Sequence, residues 1–382
     1  MAESKLTRTG YELESVNIVQ AAISYINHRC ECDPTVVIGG KKVKPIIVAP
    51  MGAVTDENNY KIWLEHGFMC CVPRTVDFEK RLEISKETFA SFSLKEVADF
   101  DKTLDDNQVH YICIDLAQGT MAQLYNMCFK LKDALGDKIV LMTGNVAVPE
   151  AFPFYASAGI DFMRVCIGTG SRCTTSCNVG IHYPTASLID ELRMRKEEWD
   201  ATHEGKSTEI IVDGGISNFD DIQKCIALGA FAVMSGSIFA KAQEACEPIV
   251  FLHSDNLDMA DAIPAEEYHE KLVDLKKKSD LFNGNINRYW DAYRRLSGRK
   301  PYRLYYGMST KMAQKLTGGS GKQTSEGIAK PILVEYPIAK WAEDMEDYMR
   351  SCMSYTGCRT IEEMRRDTQL VINLSSDKSF RK

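Results

Sequence analysis

One short segment combines residue types that could bind an anion and attack an electrophile. The stretch Gly168–Thr175 holds two glycines, hydroxyl groups and a thiol, and it follows the largely apolar run Phe162–Ile167. A glycine turn at a strand end exposes backbone amides that suit an anion beside Ser171. Cys173, two residues later, could then act as a nucleophile on whatever carries that anion. The alternative is a surface turn containing one of many cysteines.

Two other glycine turns are suited to a sugar phosphate. Asp213–Gly215 places a carboxylate before paired glycines, which suits the hydroxyls of a ribose. Ser235–Ser237 runs directly into the helix-like segment Ile238–Ala245, so free N–H groups would face an anion. Asp115 and Asn145 follow two further apolar runs. For Asp115, a helix N-cap is the alternative.

The elements that must position these residues alternate between strands and helices. Amphipathic spacers such as Asn58–Glu65, Ala122–Leu135 and Phe219–Leu228 separate short β-rich runs. The eight runs are Pro45–Met51, Phe68–Arg74, Phe89–Leu94, Val109–Leu116, Lys138–Gly144, Phe162–Gly168, Glu209–Gly214 and Phe231–Gly236. This alternation predicts an α/β fold, a single (β/α)8 TIM barrel, with an open doubly wound sheet as the alternative. A barrel would carry its chemistry at the carboxyl ends of the strands, with phosphate after strands seven and eight.

The segments outside the predicted barrel differ in character. Residues 11–30 are expected to form a helical lead-in, and 255–300 are charged and helix-like. The glycine-rich, polar segment Leu316–Gly327 predicts a mobile flap over the barrel mouth, within about 310–337. Amphipathic sequence resumes at Ile338–Tyr348 and begins a C-terminal extension.

Composition and charge exclude several classes of partner. With 382 residues and 45% hydrophobic side chains, the chain is expected to form a single catalytic domain, 1–382. A net charge of -7 and a pI near 5.6 argue against nucleic acid and anionic membranes. No apolar leader and no apolar run of about 18 residues is found, so a cytoplasmic protein without membrane contact is expected. Thirteen cysteines, an odd number, indicate reduced thiols, and their spacing does not suit zinc.

Several motifs together resemble the IMP dehydrogenase/GMP reductase family. They are Met142–Val146, Gly168–Thr175, Asp213–Gly215 and Tyr306–Ser309, which occur in the family's order. The similarity runs from about Pro45 to Ile372. It implies a homotetramer of (β/α)8 barrels that binds a purine nucleoside monophosphate (GMP or IMP). It also implies that Cys173 attacks C2 of the base.

The resemblance implies a role for each further site residue. Asp213 would bind the ribose hydroxyls, and Met308 and Ser309 would contact the edge of the base. The residues that would hold the phosphate are Ser171, Gly215, Gly236 and Ser237. Two more positions implied for substrate binding are Tyr305 and Gly327. Whether a monovalent cation such as potassium sits on the carbonyls of Gly168, Gly170 and Cys173 is left open.

Two motifs favour the reductase branch of this family. Cys173–Thr175 and Ser325–Gly327 resemble the reductases' active loop and flap, whereas the flap lacks the Arg-Tyr pair of the hydrolytic dehydrogenases. Only 35 positions separate Arg74 from Val109, which leaves no room for the inserted regulatory (CBS) domains of many dehydrogenases.

The resemblance therefore implies an NADPH-dependent reductive deamination of GMP to IMP and ammonia, through a covalent adduct on Cys173. Glu326 would move protons through the Thr175 hydroxyl. The positions implied for the cofactor are Arg74, Asp115 and Asn145.

Three positions depart from the family pattern. Met51–Val54 reads Met-Gly-Ala-Val in place of Met-Asp-Thr-Val, and Pro73–Thr75 stands where many reductases have His-Lys-His. Gln323 stands where an Arg is expected before the flap's Ser-Glu. An NAD-dependent IMP dehydrogenase and a nucleotide-binding homologue without chemistry are therefore alternatives. A deoxynucleotide or another 2-aminopurine nucleotide is an alternative substrate.

Overall fold

Eight parallel strands close into a barrel at the centre of the molecule. The computed structural model describes residues 9–104, 108–205, 207–279, 296–316 and 326–373. The barrel strands are β1 (Ile46–Val48), β2 (Met69–Val72), β3 (Phe89–Phe92), β4 (His110–Asp115), β5 (Ile139–Val146), β6 (Phe162–Val165), β7 (Glu209–Asp213) and β8 (Ala232–Ser235). Strand β8 pairs in parallel with β1, with Ser235 opposite Val48, and this pairing closes the barrel. The predicted (β/α)8 fold is confirmed, and the open-sheet alternative is wrong.

The barrel strands are mostly apolar on both faces because the strands of a closed parallel barrel are covered on both sides. Strands β1, β2 and β3 are buried along their whole length. Polar side chains gather instead at the carboxyl ends, where β4 and β7 each finish on a half-buried aspartate. The strand ends therefore concentrate the polar chemistry of the barrel.

Helices surround the barrel and alternate with its strands. They are Tyr60–Glu65, Phe78–Ile84, Phe100–Thr103, Ala122–Leu135, Phe152–Ser157, Thr185–Asp200, Phe219–Ala227 and Ser237–Ala240. Ala122–Leu135 has the bounds that its periodicity predicts, and it buries residues at helical spacing, from Leu124 through Cys128 and Leu131 to Leu135. The predicted helix Ile238–Ala245 is wrong in length, because the helix covers only Ser237–Ala240.

A four-stranded antiparallel sheet, which the sequence patterns do not predict, follows the barrel. Its strands are Val250–His253, Ile263–Pro264, Arg299–Tyr305 and Lys330–Leu333. The expected helix in 255–300 is found at Ala265–Ser279, but the end of that range begins a strand, and 280–295 lie outside the described residues. Of the predicted flap, Lys311–Leu316 is helical and 317–325 lie outside the described residues.

The predicted helical lead-in over 11–30 is wrong. The segment contains two 3-10 turns, Leu13–Ser15 and Arg29–Glu31, and the strand Val16–Ile18. This strand pairs antiparallel with Leu370–Ile372 near the other end of the chain. The β-branched side chains of Val16 and Ile18 suit that pairing, and its partner lies too far along the chain for local periodicity to reveal it.

Two C-terminal helices close the outer layer. Ile338–Thr356 is the amphipathic helix expected from Ile338, and Ile361–Asp367 follows it. Trp341 of the longer helix stacks on Phe219, with ring centroids 5.2 Å apart. The helix ends at Gly357, whose positive φ of 76° is readily adopted only by glycine.

Within the described ranges, no helix has the combination of length and apolarity needed to cross a membrane. The same ranges contain no group of three or more His, Cys, Asp or Glu side chains placed to hold a metal ion.

Candidate active site

A cavity of about 860 Å³ opens at the carboxyl ends of the barrel strands. Most of the residues singled out in the sequence line it. They are Arg74, Asp115, Asn145, Gly168, Gly170, Ser171, Cys173, Thr175, Asp213, Gly236, Tyr305, Met308, Ser309 and Glu326. Gly215, Ser237 and Gly327 are adjacent in sequence to lining residues but do not line the cavity themselves. The volume lies within the range of small-molecule sites.

The loop after β6, Gly168–Thr174, is shaped by its glycines and leads into the short helix Thr175–Val179. Gly168 has φ +79°, and a Cβ there would lie 2.6 Å from the Cβ of Ser176. The Gly168 carbonyl accepts from the Ser176 hydroxyl (3.1 Å), and the Gly170 carbonyl accepts from the Cys173 amide (2.9 Å). Two of the three carbonyls at which a monovalent cation is left open therefore already accept hydrogen bonds.

The end of the predicted flap is hydrogen-bonded to this loop through the backbone. The Thr174 amide donates to the Glu326 carbonyl (2.8 Å), and the Ile328 amide donates to the Arg172 carbonyl (3.0 Å). Cys173 and Gly327 form an antiparallel bridge between these two bonds. Because the bridge fixes the register, it also fixes the direction in which the Glu326 side chain leaves the backbone.

This register brings a thiol, a hydroxyl and a carboxylate into one hydrogen-bonded series. The Cys173 Sγ donates to the Thr175 Oγ1 at 3.1 Å, and the Thr175 Oγ1 donates to the Glu326 Oε2 at 2.7 Å. All three side chains are half-buried. A thiol that loses a proton to such a series becomes the more nucleophilic thiolate, and the carboxylate can return the proton to a leaving group.

A buried guanidinium joins the two aspartates of the site. Arg164 in β6 donates from one terminal nitrogen to Asp115 and from the other to Asp213, each at 2.7 Å. Burial opposes the charge on this side chain, but the nearby carboxylates outweigh burial and hold the pKa of Arg164 above its ordinary value. The Asn145 amide also donates to Asp213, at 2.8 Å and to the same oxygen, Oδ2.

Arg164 is not among the site residues predicted from the sequence. The indication available was a charged residue inside a four-residue strand that is otherwise apolar, since a buried charge requires partners. The helix N-cap alternative for Asp115 is wrong, because the next helix begins at Ala122 with Met121 at its N-cap. Asp115 is instead an ion-pair partner of Arg164.

Glycines and a tyrosine line a further part of the cavity, its glycine-lined end. A Cβ on Gly236 would lie 2.6 Å from the hydroxyl of Tyr305, and a Cβ on Gly214 would lie 2.7 Å from the Thr169 hydroxyl. Burial raises the pKa of Tyr305, so its hydroxyl stays protonated. It donates to the Met51 sulfur at 3.4 Å, a weak acceptor that an anion can replace. The Ser237 hydroxyl is turned away and donates to the Ile216 carbonyl at 3.1 Å.

Two of the three departures from the family pattern, Met51–Val54 and Pro73–Thr75, lie at the cavity, and the third lies outside the described residues. Gly52 lies beside the cavity, where a Cβ would sit 3.3 Å from the Thr75 hydroxyl, and its carbonyl accepts from the Cys246 thiol at 2.9 Å. Arg74 lines the cavity, and its buried Nε has no hydrogen-bond partner in the described chain. Gln323 lies outside the described residues.

The fold and the position of the cavity define a (β/α)8-barrel protein whose polar site lies at the carboxyl ends of its strands. Residues 90–261 match the sequence profile described as the IMP dehydrogenase / GMP reductase domain. The chain belongs to the IMP dehydrogenase/GMP reductase family, as its motifs indicate.

Three bacterial relatives illustrate the extent of the similarity. The chain is 32% identical over 245 residues to a GMP reductase of Shouchella clausii, covering 61% of this chain and 71% of that protein. It is 27% identical over 378 residues to a GMP reductase of Clostridium acetobutylicum, covering 96% of each. It is 28% identical over 341 residues to a GMP reductase of Klebsiella pneumoniae, covering 86% of this chain and 83% of that protein.

Proposed function

We propose that this protein is an NADPH-dependent GMP reductase. It converts GMP, NADPH and protons to IMP, ammonia and NADP+ through a covalent bond between Cys173 and C2 of the purine. The observation that carries the proposal is the hydrogen-bonded series from the Cys173 thiol through Thr175 to Glu326. The names of its bacterial relatives support the same activity.

The nucleotide is proposed to lie along the cavity with its phosphate at the glycine-lined end. Gly236, Ser171 and Tyr305 border that end and supply an amide and two hydroxyls as donors. Asp213 is proposed to accept from the ribose hydroxyls. Its Oδ2 is already bonded to Arg164 and Asn145, and its Oδ1 has no partner in the described chain. The base then reaches the thiol, with Met308 and Ser309 beside it.

The residues at the cavity wall fit a nicotinamide cofactor beside the nucleotide. Arg74 offers a buried nitrogen without a partner, and Asp115 and Asn145 are held in place by the contacts around Arg164. These three residues are proposed to hold the cofactor, which supplies a hydride to C2 when bound. We also propose that the protein assembles as a homotetramer, as the family resemblance implies.

The chain's own residues account for the proton transfers. As the thiol adds to C2, its proton passes to the Thr175 hydroxyl, and the Thr175 proton passes to Glu326. The amino group of the adduct is a poor leaving group until it is protonated, so Glu326 returns a proton through Thr175 and ammonia departs. Once C2 has gained hydride, the C2–S bond breaks and its electron pair leaves with sulfur as a thiolate. The thiolate takes one proton from solvent, which restores the starting thiol and balances the proton lost with ammonia.

The direct test compares two incubations of the purified protein. GMP with NADPH should release ammonia in a one-to-one ratio with the loss of NADPH absorbance. IMP with NAD should produce no sustained rise in NADH absorbance, because Leu316–Gly327 lacks the Arg-Tyr pair that the family's hydrolytic enzymes use to activate water. Steady NADH production from IMP without ammonia release from GMP would instead identify an IMP dehydrogenase.

Glu326→Gln should slow the deamination by about 100-fold or more, because an amide cannot accept and return the proton. The KM for GMP should change little, since the proposed phosphate and ribose contacts lie elsewhere. Ammonia release in single turnovers measures the affected step. Glu343→Gln, an exposed glutamate on the helix Ile338–Thr356, is the control and should keep the wild-type rate. A Glu326→Gln enzyme with the wild-type rate would remove Glu326 from the mechanism.

A further inference from the structure

Arg172 is a cation in the active-site loop that the proposed reaction does not use. It lies between Ser171, at the proposed phosphate end, and Cys173. Its side chain is half-buried and lines the cavity, and its buried Nε has no hydrogen-bond partner in the described chain. Burial lowers the pKa of this guanidinium, whereas its electrostatic contact with Tyr305 acts in the opposite direction.

The cavity's carboxylates are engaged with other groups. Asp115 and Asp213 both pair with Arg164, and Glu326 accepts from Thr175. No acidic side chain in the described ranges forms an ion pair with Arg172. A half-buried cation without a counter-ion is costly unless a ligand supplies the opposite charge.

The position of the guanidinium indicates which part of a ligand it would meet. Its central carbon lies 5.0 Å from the centroid of the Tyr305 ring, over the ring face. The hydroxyl of that ring faces Gly236 at the glycine-lined end of the cavity. A phosphate that accepts from the Tyr305 hydroxyl would therefore lie at the edge of the ring that carries Arg172 on its face. Guanidinium groups are strong partners for phosphate, because their fork of donors matches its oxygens.

We infer that Arg172 determines specificity for the phosphate of the nucleotide, by pairing its guanidinium with the phosphate oxygens. The inference rests on the proposed nucleotide substrate and adds a charged partner to a phosphate site otherwise built from amides and hydroxyls. The Tyr305 ring holds the guanidinium in place by a cation–π contact before the ligand arrives.

Binding to three probes tests this inference without requiring turnover. Dissociation constants for GMP, guanosine and inorganic phosphate are measured at constant ionic strength, for the wild type, Arg172→Ala and Arg172→Lys. Loss of one charge-assisted contact should weaken the binding of GMP and of inorganic phosphate by about 10- to 100-fold in Arg172→Ala. Guanosine should bind equally to all three proteins, and Arg172→Lys should recover part of the loss.

A surface substitution and an unfolding measurement provide the controls. Arg195→Ala removes an exposed arginine paired with Glu198 and should leave all three constants unchanged. Circular dichroism and the melting temperature without ligand establish that Arg172→Ala is folded.

The inference is overturned if Arg172→Ala binds GMP and phosphate as tightly as the wild type, or if the wild type binds no phosphate. It is also overturned if the affinity of Arg172→Ala for guanosine falls by the same factor as its affinity for GMP. A wild type that binds GMP through Arg172 but releases no ammonia would contradict the proposed reaction alone.

Discussion

Cys173→Ala should abolish the conversion of GMP to IMP while leaving the affinity for GMP nearly unchanged. Removing the nucleophile of a covalent mechanism costs on the order of a million-fold in rate. The proposed phosphate and ribose contacts do not involve the thiol, so the nucleotide should still bind. Calorimetric titration with GMP, beside an ammonia assay at saturating GMP and NADPH, separates the two effects.

The chain offers a matched control for this substitution. Cys177 is an exposed cysteine on the helix Thr175–Val179, four residues beyond Cys173. Cys177→Ala should retain wild-type turnover. Mass spectrometry of the wild type quenched in acid during turnover should find the purine attached to Cys173 alone. Turnover by Cys173→Ala, or an adduct on Cys177, would refute the assignment of the nucleophile.

The barrel could be predicted because its determinants are local in sequence. Each β-rich run contains the apolar residues that make it a buried strand. The glycine turns at Gly168, Gly214 and Gly236 follow the ends of three of these strands. The predicted runs contain all of β1–β4 and β6–β8, and β5 continues two residues beyond its predicted end at Gly144. The helix Ala122–Leu135 is also determined by its local sequence, since four residues at helical spacing define its buried face.

The features that local patterns do not predict depend on partners distant in sequence. Val16–Ile18 is a strand because Leu370–Ile372 lies beside it, and no local pattern announces that pairing. Glu326 and Thr175 are 151 positions apart, and a backbone bridge rather than any spacing brings their side chains together. The resemblance of the Cys173–Thr175 and Ser325–Gly327 motifs to the family places both residues in one site, whereas their spacing in the sequence does not.

Arg164→Met should destabilise the protein by about 3–5 kcal/mol, the usual result of removing one member of a buried ion pair. The arginine is 5% exposed and neutralises Asp115 and Asp213 together, which are 16% and 15% exposed. Without it, two uncompensated carboxylates face one cavity, and of the two only Asp213 keeps a side-chain donor in the described chain, the Asn145 amide. Urea unfolding at pH 7, followed by circular dichroism, measures the loss as a lower midpoint at an unchanged slope.

The origin of the loss can be tested by varying charge and packing separately. If uncompensated carboxylates cause it, the triple variant Arg164→Met, Asp115→Asn, Asp213→Asn should regain much of the stability, because its amides carry no charge. If lost packing is the cause, the triple variant should be no more stable than Arg164→Met. We expect the first result, because the guanidinium contacts both carboxylates directly and its raised pKa reflects their charge.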